Sequence, residues 1–198
     1  MLTELFSLYL KMLVLYSPFF VLSCFISLTL GYTRKERKVL ACKVALGTVI
    51  ASSLLYLFGQ HIFSLFGITI DAFRIGAGSV LFISALGMAQ GKPVVQVENQ
   101  QQDVTIVPLT IPLTVGPGTI GALLVMSAGQ PHWDIRLLAL AAIVLASITV
   151  GLVLYLSDLF EHLLGEQGLQ IVSRLMGLFV CALAAQIIFT GVKNYLVL

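Results

Sequence analysis

Apolar residues form six long uncharged runs along the chain, and short charged stretches separate them. The runs cover 12–33, 44–70, 75–91, 104–133, 137–157 and 175–192. A helix needs roughly 17–25 apolar residues to cross a bilayer, and the run at 75–91 reaches this length by including Ala72 and Phe73. The pattern predicts an all-α, polytopic membrane protein with six transmembrane helices, at about 5–30, 40–59, 72–90, 104–127, 136–157 and 172–193.

Composition supports a membrane location. Of the 198 residues, 59% are hydrophobic and 10% are charged, whereas a soluble domain has about 25% charged residues. The apolar stretch after Lys11 is longer than the hydrophobic region of a typical signal peptide, and no clear small-x-small cleavage site follows it. We therefore expect helix 1 to be a membrane span and not a cleaved leader.

The placement of Lys and Arg predicts the orientation. Four of the basic residues lie in the first loop, within 34–38, and basic loops remain on the cytoplasmic side. Both termini are then outside, and the expected location is the cell inner (cytoplasmic) membrane. No phosphate-binding glycine loop or interleaved aromatic patch accompanies the basic cluster, so we expect no nucleic-acid partner.

Two of the predicted spans contain prolines that break a helix. Helix 4 carries Pro108, Pro112 and Pro117, and helix 1 carries Pro18. An interior proline removes an amide donor and clashes with the carbonyl four residues earlier. Such backbone is tolerated in a membrane only where it is buried in protein or lines a polar cavity. A merely kinked helix is the alternative, since proline is common in membrane spans, but three prolines with neighbouring threonines and a GPG sequence favour a binding site.

The two halves of the chain resemble each other at an offset of about 100 positions. Corresponding residues are Pro18 and Pro117, Arg74 and Arg174, Ala85 and Ala185, and Gly91 and Gly191. Each half has three spans, so the second half enters the membrane from the opposite side. We predict one membrane domain over 1–198, with two inverted three-helix repeats at about 1–91 and 104–198, joined by a cytoplasmic linker at 92–103.

Broken helices predict how a solute would be held. The N-terminus of a half-helix favours a carboxylate, and a freed carbonyl favours an ammonium group. The expected donors are the amides of Gly118 and Thr119, and the expected acceptors are the carbonyls of Val14 and Leu113. Glycines would permit close approach of the solute. The predicted substrate-binding residues are Ser17, Pro18, Thr114, Gly116, Pro117, Gly118 and Thr119.

Other chemistry is not indicated. The three cysteines fall in or beside spans, and the three histidines lie in separate predicted loops or helix ends, so we expect no disulfide, metal or cofactor. No nucleophile–base constellation occurs, which argues against an enzyme. Arg74 and Arg174 are interpreted as helix-end anchors, with Asp71 and Arg74 as a local i, i+3 pair.

The motifs resemble those of a known family. The run PLTIPLTVGPGTI at 108–120 matches the PLxxPxxxGPG pattern of the MarC family of inner-membrane proteins, and similarity extends to FGITIDAFRIGAG (66–78), QGKP (90–93) and SRLMG (173–177). The resemblance implies a relation to the LysE-type exporters, with which this family is grouped. Some members of the MarC family are assigned as transporters of small neutral amino acids such as glycine and alanine.

The chain departs from this family in helix 1. Members usually carry an NPxGxxP motif there, whereas this sequence has Ser17 for Asn, Phe20 for Gly and Ser23 for the second Pro. Phe20 would fill space that glycine leaves open. The departure implies a site that is narrower, altered in use or lost on the helix 1 side.

Together these features predict a secondary transporter of a small neutral or zwitterionic solute, specifically a small neutral amino acid, with a midplane site between helices 1 and 4. The partners are then the lipid bilayer and the solute. A coupling ion, proton or sodium, and assembly into a homo-oligomer are left open. The alternatives are a non-transporting membrane scaffold or regulatory protein, and an exporter of another small metabolite.

Overall fold

The computed structural model describes residues 2–29, 31–91, 110, 114–128 and 133–196, and within these ranges all the regular structure is helical. This confirms the all-α prediction for the described residues. The helices are α1 (Leu2–Tyr16), α2 (Pro18–Leu28), α3 (Arg34–Phe66), α4 (Ile70–Ala89), α5 (Pro117–Ala128), α6 (Trp133–Tyr155) and α7 (Ser157–Leu196).

Five helical segments of the described chain are long and apolar enough to cross a membrane. They are Leu2–Leu28, Arg34–Gly59, Ile70–Ala89, Trp133–Tyr155 and Gln167–Leu196. The predicted fourth span is described only in part, and its α5 portion has 12 residues. The linker predicted at 92–103 lies outside the described residues.

Large apolar side chains cover much of the outer surface. Ile83 is 69% exposed, Phe179 58% and Phe189 72%. A soluble monomer rarely exposes extended apolar surface, because its transfer to water is unfavourable. These side chains are suited to contact lipid.

Two connections predicted as loops are helical instead. We expected a loop over 60–71, but α3 continues to Phe66 and ends where Gly67 adopts a left-handed φ of 63°. Within this extension the buried ring of Phe63 packs edge-on against Phe73, with centroids 4.9 Å apart. The segment QHIFSLF also contains no helix breaker, so the apolar contact extends the helix.

The connection between the spans predicted at 136–157 and 172–193 is also helical, because α7 begins at Ser157. Non-helical backbone occurs within it at Gly165 (φ 61°, ψ 177°), so α7 consists of two helical parts with a kink between them. A glycine adopts this φ at little cost. Within this connection the helical backbone is therefore interrupted at Gly165.

Helices α4 and α7 pack closely through glycines. A Cβ at Gly78 would lie 3.3 Å from the carbonyl oxygen of Ala184 and 3.3 Å from the amide nitrogen of Ile188. A Cβ at Gly177 would lie 3.0 Å from the carbonyl oxygen of Ala85 and 2.7 Å from the amide nitrogen of Ala89. These contacts are reciprocal, because each residue of one contact is related to its counterpart in the other by the offset that relates Pro18 to Pro117. The related pairs are Gly78 and Gly177, Ala85 and Ala184, and Ala89 and Ile188. In this packing Ala85 therefore corresponds to Ala184, one residue away from the Ala185 predicted from the sequence.

Ion pairs connect the start of α3 to the start of α7. The Arg37 guanidinium lies 3.1 Å from the Asp158 carboxylate and 3.0 Å from that of Glu161. It also donates to the carbonyl of Thr29, the residue that follows α2. One cation, whose side chain is 13% exposed, thus joins three helix ends.

Candidate functional site

The first helix break lies at Ser17, between α1 and α2. Ser17 has a left-handed backbone (φ 47°, ψ 62°), and Pro18 is the first residue of α2. Proline fits this position because its missing amide would lack a helical partner there in any case. The left-handed region is unfavourable for residues other than glycine, asparagine and aspartate, so the turn holds a strained serine.

The polar groups of this first break are satisfied internally. The Ser17 hydroxyl donates to the carbonyl of Val14 at 2.9 Å, and the Ser17 amide lies 3.1 Å from the same oxygen. The prediction that Val14 offers a free carbonyl is therefore wrong, because the left-handed turn folds Ser17 back onto it. The Ser17 carbonyl accepts from the amides of Phe20 and Val21.

The second break precedes α5. The amide of Val115 donates to the carbonyl of Thr110 at 2.8 Å, a five-residue spacing that marks a widened turn. Gly116 is not helical, its carbonyl accepts from the Ile120 amide, and α5 then begins at Pro117. The chain is thus non-helical directly before both Pro18 and Pro117, within the two segments predicted to be broken.

The first turn of α5 has backbone donors without partners in its own helix. In any α-helix the first amides lack an acceptor, and in α5 these include Gly118 and Thr119. The side chains of Thr114 and Thr119 are buried, at 1% and 4% exposed. The predicted acceptor Leu113 lies outside the described residues.

Each break packs against a long helix from the other half of the chain. A Cβ at Gly118 would lie 2.7 Å from the Cα of Leu81 in α4. The hydroxyl of Ser173 in α7 donates to the carbonyl of Phe19, in the first turn of α2, at 3.2 Å. We expected Gly118 to admit a solute, but its missing side chain is what lets α4 approach.

A cleft of 270 Å³ runs along α1 and α5, the helices that adjoin the two breaks. It lies beside α1, which ends before the first break, and α5, which begins at the second. Its lining comprises Leu8, Lys11, Met12, Leu15, Arg74, Ala122, Val125, Met126, Leu183, Gln186, Ile187 and Thr190. The cleft therefore combines apolar walls with two cations, an amide and a hydroxyl.

Buried polar side chains near the core were not predicted as site residues. The Ser147 hydroxyl lies 3.4 Å from that of Tyr16, directly before the first break. Four buried side-chain oxygens have no hydrogen-bond partner among the described residues, namely those of Ser52, Tyr56, Thr110 and Ser127. Buried polar atoms are normally satisfied, so these oxygens are candidates for contact with a solute or water. The i, i+4 spacing of Ser52 and Tyr56 in an apolar run was the signal available in the sequence.

The described residues do not form a metal site. No group of three or more His, Cys, Asp or Glu side chains that could hold an ion occurs among them. The predicted pair of Asp71 and Arg74 is present, with 2.6 Å between the carboxylate oxygen and the guanidinium nitrogen.

The fold and the interrupted helices define a class, that of polytopic α-helical integral membrane proteins with discontinuous spans. Comparison of the sequence makes the assignment narrower. The family profile described as MarC family integral membrane protein matches residues 2–196. The chain belongs to the MarC family.

Similar proteins occur in bacteria and archaea. The chain is 29% identical over 196 residues to a UPF0056 membrane protein of Aquifex aeolicus, covering 95% of this chain and 92% of the relative. It is 31% identical to UPF0056 membrane protein MJ1677 of Methanocaldococcus jannaschii, with 91% of each chain covered. It is 32% identical to UPF0056 membrane protein PH0760 of Pyrococcus horikoshii, with 94% and 93% covered. No solved structure matches the chain significantly.

Proposed function

We propose that this protein is a secondary transporter of a small neutral or zwitterionic solute, specifically a small neutral amino acid. The observation that carries the proposal is the pair of helix breaks at Ser17 and Gly116, each directly before a proline and each next to residues that pack against a helix of the other half. Discontinuous helices of this kind hold solutes in transporters through their exposed backbone dipoles.

The hydrogen-bond donors of the proposed site lie mainly at the second break. The amides of Gly118 and Thr119 face no acceptor within their own helix, and they suit a carboxylate. The buried hydroxyls of Thr114 and Thr119 lie in the same segment. At the first break the turn is closed by its own hydrogen bonds, so Ser17 and Pro18 contribute shape and Tyr16 contributes a neighbouring hydroxyl.

The proposal includes six spans arranged as two inverted repeats. The reciprocal glycine contacts between α4 and α7 support it, because an approximate two-fold axis would generate both contacts from one. Two further contacts follow the same pattern: α2 of the first half packs against α7 of the second, and α5 of the second half packs against α4 of the first. The predicted fourth span, which would bring the total to six, would comprise α5 and the segment before it.

Alternating access requires one side of the site to be closed while the other is open. The Arg37 network joins the ends of α2, α3 and α7 on one side, and the 270 Å³ cleft opens beside α1, α5 and α7. On the proposed orientation, with the basic loop 34–38 cytoplasmic in the inner membrane, the network closes the inner side and the cleft is the outer approach.

The main rival is a non-transporting scaffold or regulatory protein. The internally bonded turn at Ser17 favours it, because that turn offers no free acceptor. Export of another small metabolite would use the same site. An enzymatic role is not proposed, since no reactive constellation was recognised in the sequence.

Thermal stability of the detergent-purified protein tests solute binding directly. A ligand that binds only the native state raises the melting temperature. Glycine, alanine and serine should raise it, and Thr119→Val should reduce the rise because the variant loses one buried hydroxyl at equal volume. Thr48→Val is the matched control, since the buried Thr48 hydroxyl bonds its own helix at the Val44 carbonyl.

The alternative outcomes are informative. A rise that is equal in wild type and Thr119→Val would place binding away from the second break. No rise with any amino acid, together with a rise for another metabolite, would favour the exporter alternative. No rise with any solute would favour the scaffold.

A further inference from the structure

The cleft beside α1 contains a cation that the proposed transport site does not use. Lys11 lines the cleft and has no ion-pair partner among the described residues. The second cation, Arg74, is already paired with Asp71 at 2.6 Å, and Asp71 also accepts from the Asn194 amide at 3.2 Å. The excess positive charge of the cleft therefore comes from Lys11.

The position of Lys11 makes this charge unusual. It lies inside the apolar helical segment Leu2–Leu28, six residues before the break at Ser17, which corresponds to about 9 Å along the helix axis. A cation within a span is costly and commonly marks a solute or ion path. The nearest acidic residue before it on α1 is Glu4, two helical turns away and not part of the cleft lining.

Neutral polar groups face the same cleft from α7. Gln186 and Thr190 are one turn apart and both line it. The Thr190 hydroxyl donates to the backbone carbonyl of Gln186 at 2.7 Å. The side-chain amide of Gln186 can therefore act as a donor toward the cleft. The cleft thus presents a charged end and a neutral donor against apolar walls.

We propose that this cleft binds the carboxylate of a small solute, with Lys11 as its ion partner, before the solute reaches the helix breaks. The proposal rests on the proposed transport function and specifies its substrate class: the solute must carry a carboxylate. Charge-assisted hydrogen bonds between ammonium and carboxylate groups are roughly twice as strong as neutral ones. The apolar walls suit a short side chain.

An anionic lipid headgroup has the same chemistry, because phosphate oxygens also pair with Lys and Arg. Size favours the solute. At 270 Å³ the cleft is slightly below the usual range of about 300–1,000 Å³ for ligand pockets. A molecule of a few heavy atoms fits, and a headgroup with its glycerol is large for it.

Three probes of similar size separate the contributions of carboxylate and ammonium. L-Alanine has both groups, propionate has only the carboxylate, and L-alaninamide has only the ammonium. The melting temperature of the purified full chain is measured against each at constant ionic strength, with alanine uptake into liposomes measured in parallel. The variants are Lys11→Met, Lys11→Arg and, as a matched control outside the cleft, Lys193→Met.

We expect alanine and propionate, but not alaninamide, to stabilise the wild type. Lys11→Met should lower the affinity for alanine and for propionate about tenfold or more, because it removes a charged hydrogen-bond partner. Lys11→Arg should retain most of the effect, and Lys193→Met should leave it unchanged.

Several results would overturn the proposal. They are a propionate effect that Lys11→Met does not change, an equal effect of alaninamide, or no effect of propionate on the wild type. Stabilisation by phosphatidylglycerol alone, lost in Lys11→Met, would assign the cleft to lipid. Propionate binding that depends on Lys11, without any alanine uptake, would support the carboxylate site in the cleft and contradict transport. Normal alanine uptake by Lys11→Met would support transport and contradict the carboxylate site.

Discussion

Arg37 and Asp158 form an ion pair with 3.1 Å between the guanidinium and carboxylate groups, linking the first residues of α3 to those of α7. The Arg37 side chain is 13% exposed, whereas that of Asp158 is 35% exposed. The pair thus joins a largely buried cation to a partly hydrated anion. Together with the contact of Arg37 with Glu161, this pair connects the two halves of the chain at the starts of these helices.

Removal of the Arg37 charge should destabilise the protein. For Arg37→Gln we expect a loss of about 1–2 kcal/mol, because charged hydrogen bonds are lost but the carboxylates stay partly hydrated. This corresponds to a fall of about 2–8 °C in melting temperature for a chain of this size.

Arg34→Gln is the matched control. Arg34 also faces Asp158, but it is 88% exposed at 3.5 Å, so its loss should cost less than about 0.5 kcal/mol. Equal effects of the two substitutions would show that burial of Arg37 does not matter.

At Ser17 glycine should give a more stable protein than alanine, which is the reverse of the order at an ordinary helical position. With φ at 47°, alanine incurs the left-handed penalty of about 1–2 kcal/mol, and glycine does not. Ser17→Gly should therefore be more stable than Ser17→Ala by about 1 kcal/mol, whereas inside a helix glycine is about 1 kcal/mol worse.

Melting temperatures of the two variants in detergent provide the measurement. Both lose the hydroxyl bond to Val14, so their difference isolates the backbone. A more stable Ser17→Ala would contradict the left-handed turn.

Close packing of α4 and α7 predicts a strong effect at Gly177. An added methyl group would meet the Ala89 amide nitrogen at 2.7 Å and the Ala85 carbonyl at 3.0 Å, and backbone atoms cannot move aside as a side chain can. We expect Gly177→Ala to cost about 1–3 kcal/mol.

Gly87→Ala provides the comparison in α4. Nothing lies within 4 Å of a Cβ at Gly87, so the substitution should be neutral or stabilising by up to about 1 kcal/mol. The stabilities of both variants can be compared in one detergent series. A neutral Gly177→Ala would mean that the helices are farther apart than described.

Much of the fold could be predicted because hydrophobicity and proline act locally. Five of the six uncharged runs coincide with helices long and apolar enough to cross a membrane, and helices restart at Pro18 and Pro117. The extension of α3 to Phe66 and the helical start of α7 could not be predicted, because they depend on tertiary contacts such as Phe63 with Phe73 and Arg37 with Asp158.

The candidate site was predicted less completely. The sequence indicates which backbone is interrupted. It does not show that the Ser17 hydroxyl donates to the Val14 carbonyl, or that Leu81 fills the space beside Gly118. Lys11 was not predicted as a site residue, because only the three-dimensional arrangement brings it into a cleft with Gln186 and Thr190.

The most direct test of the central claim is uptake of labelled alanine by liposomes that contain the purified protein. If the protein is a transporter of small neutral amino acids, uptake is saturable and exceeds that of protein-free liposomes. Thr119→Val should reduce it about tenfold or more, and Thr48→Val should leave it unchanged. Absence of uptake by well-folded wild-type protein in both membrane orientations, for alanine, glycine and serine alike, would contradict transport of small neutral amino acids.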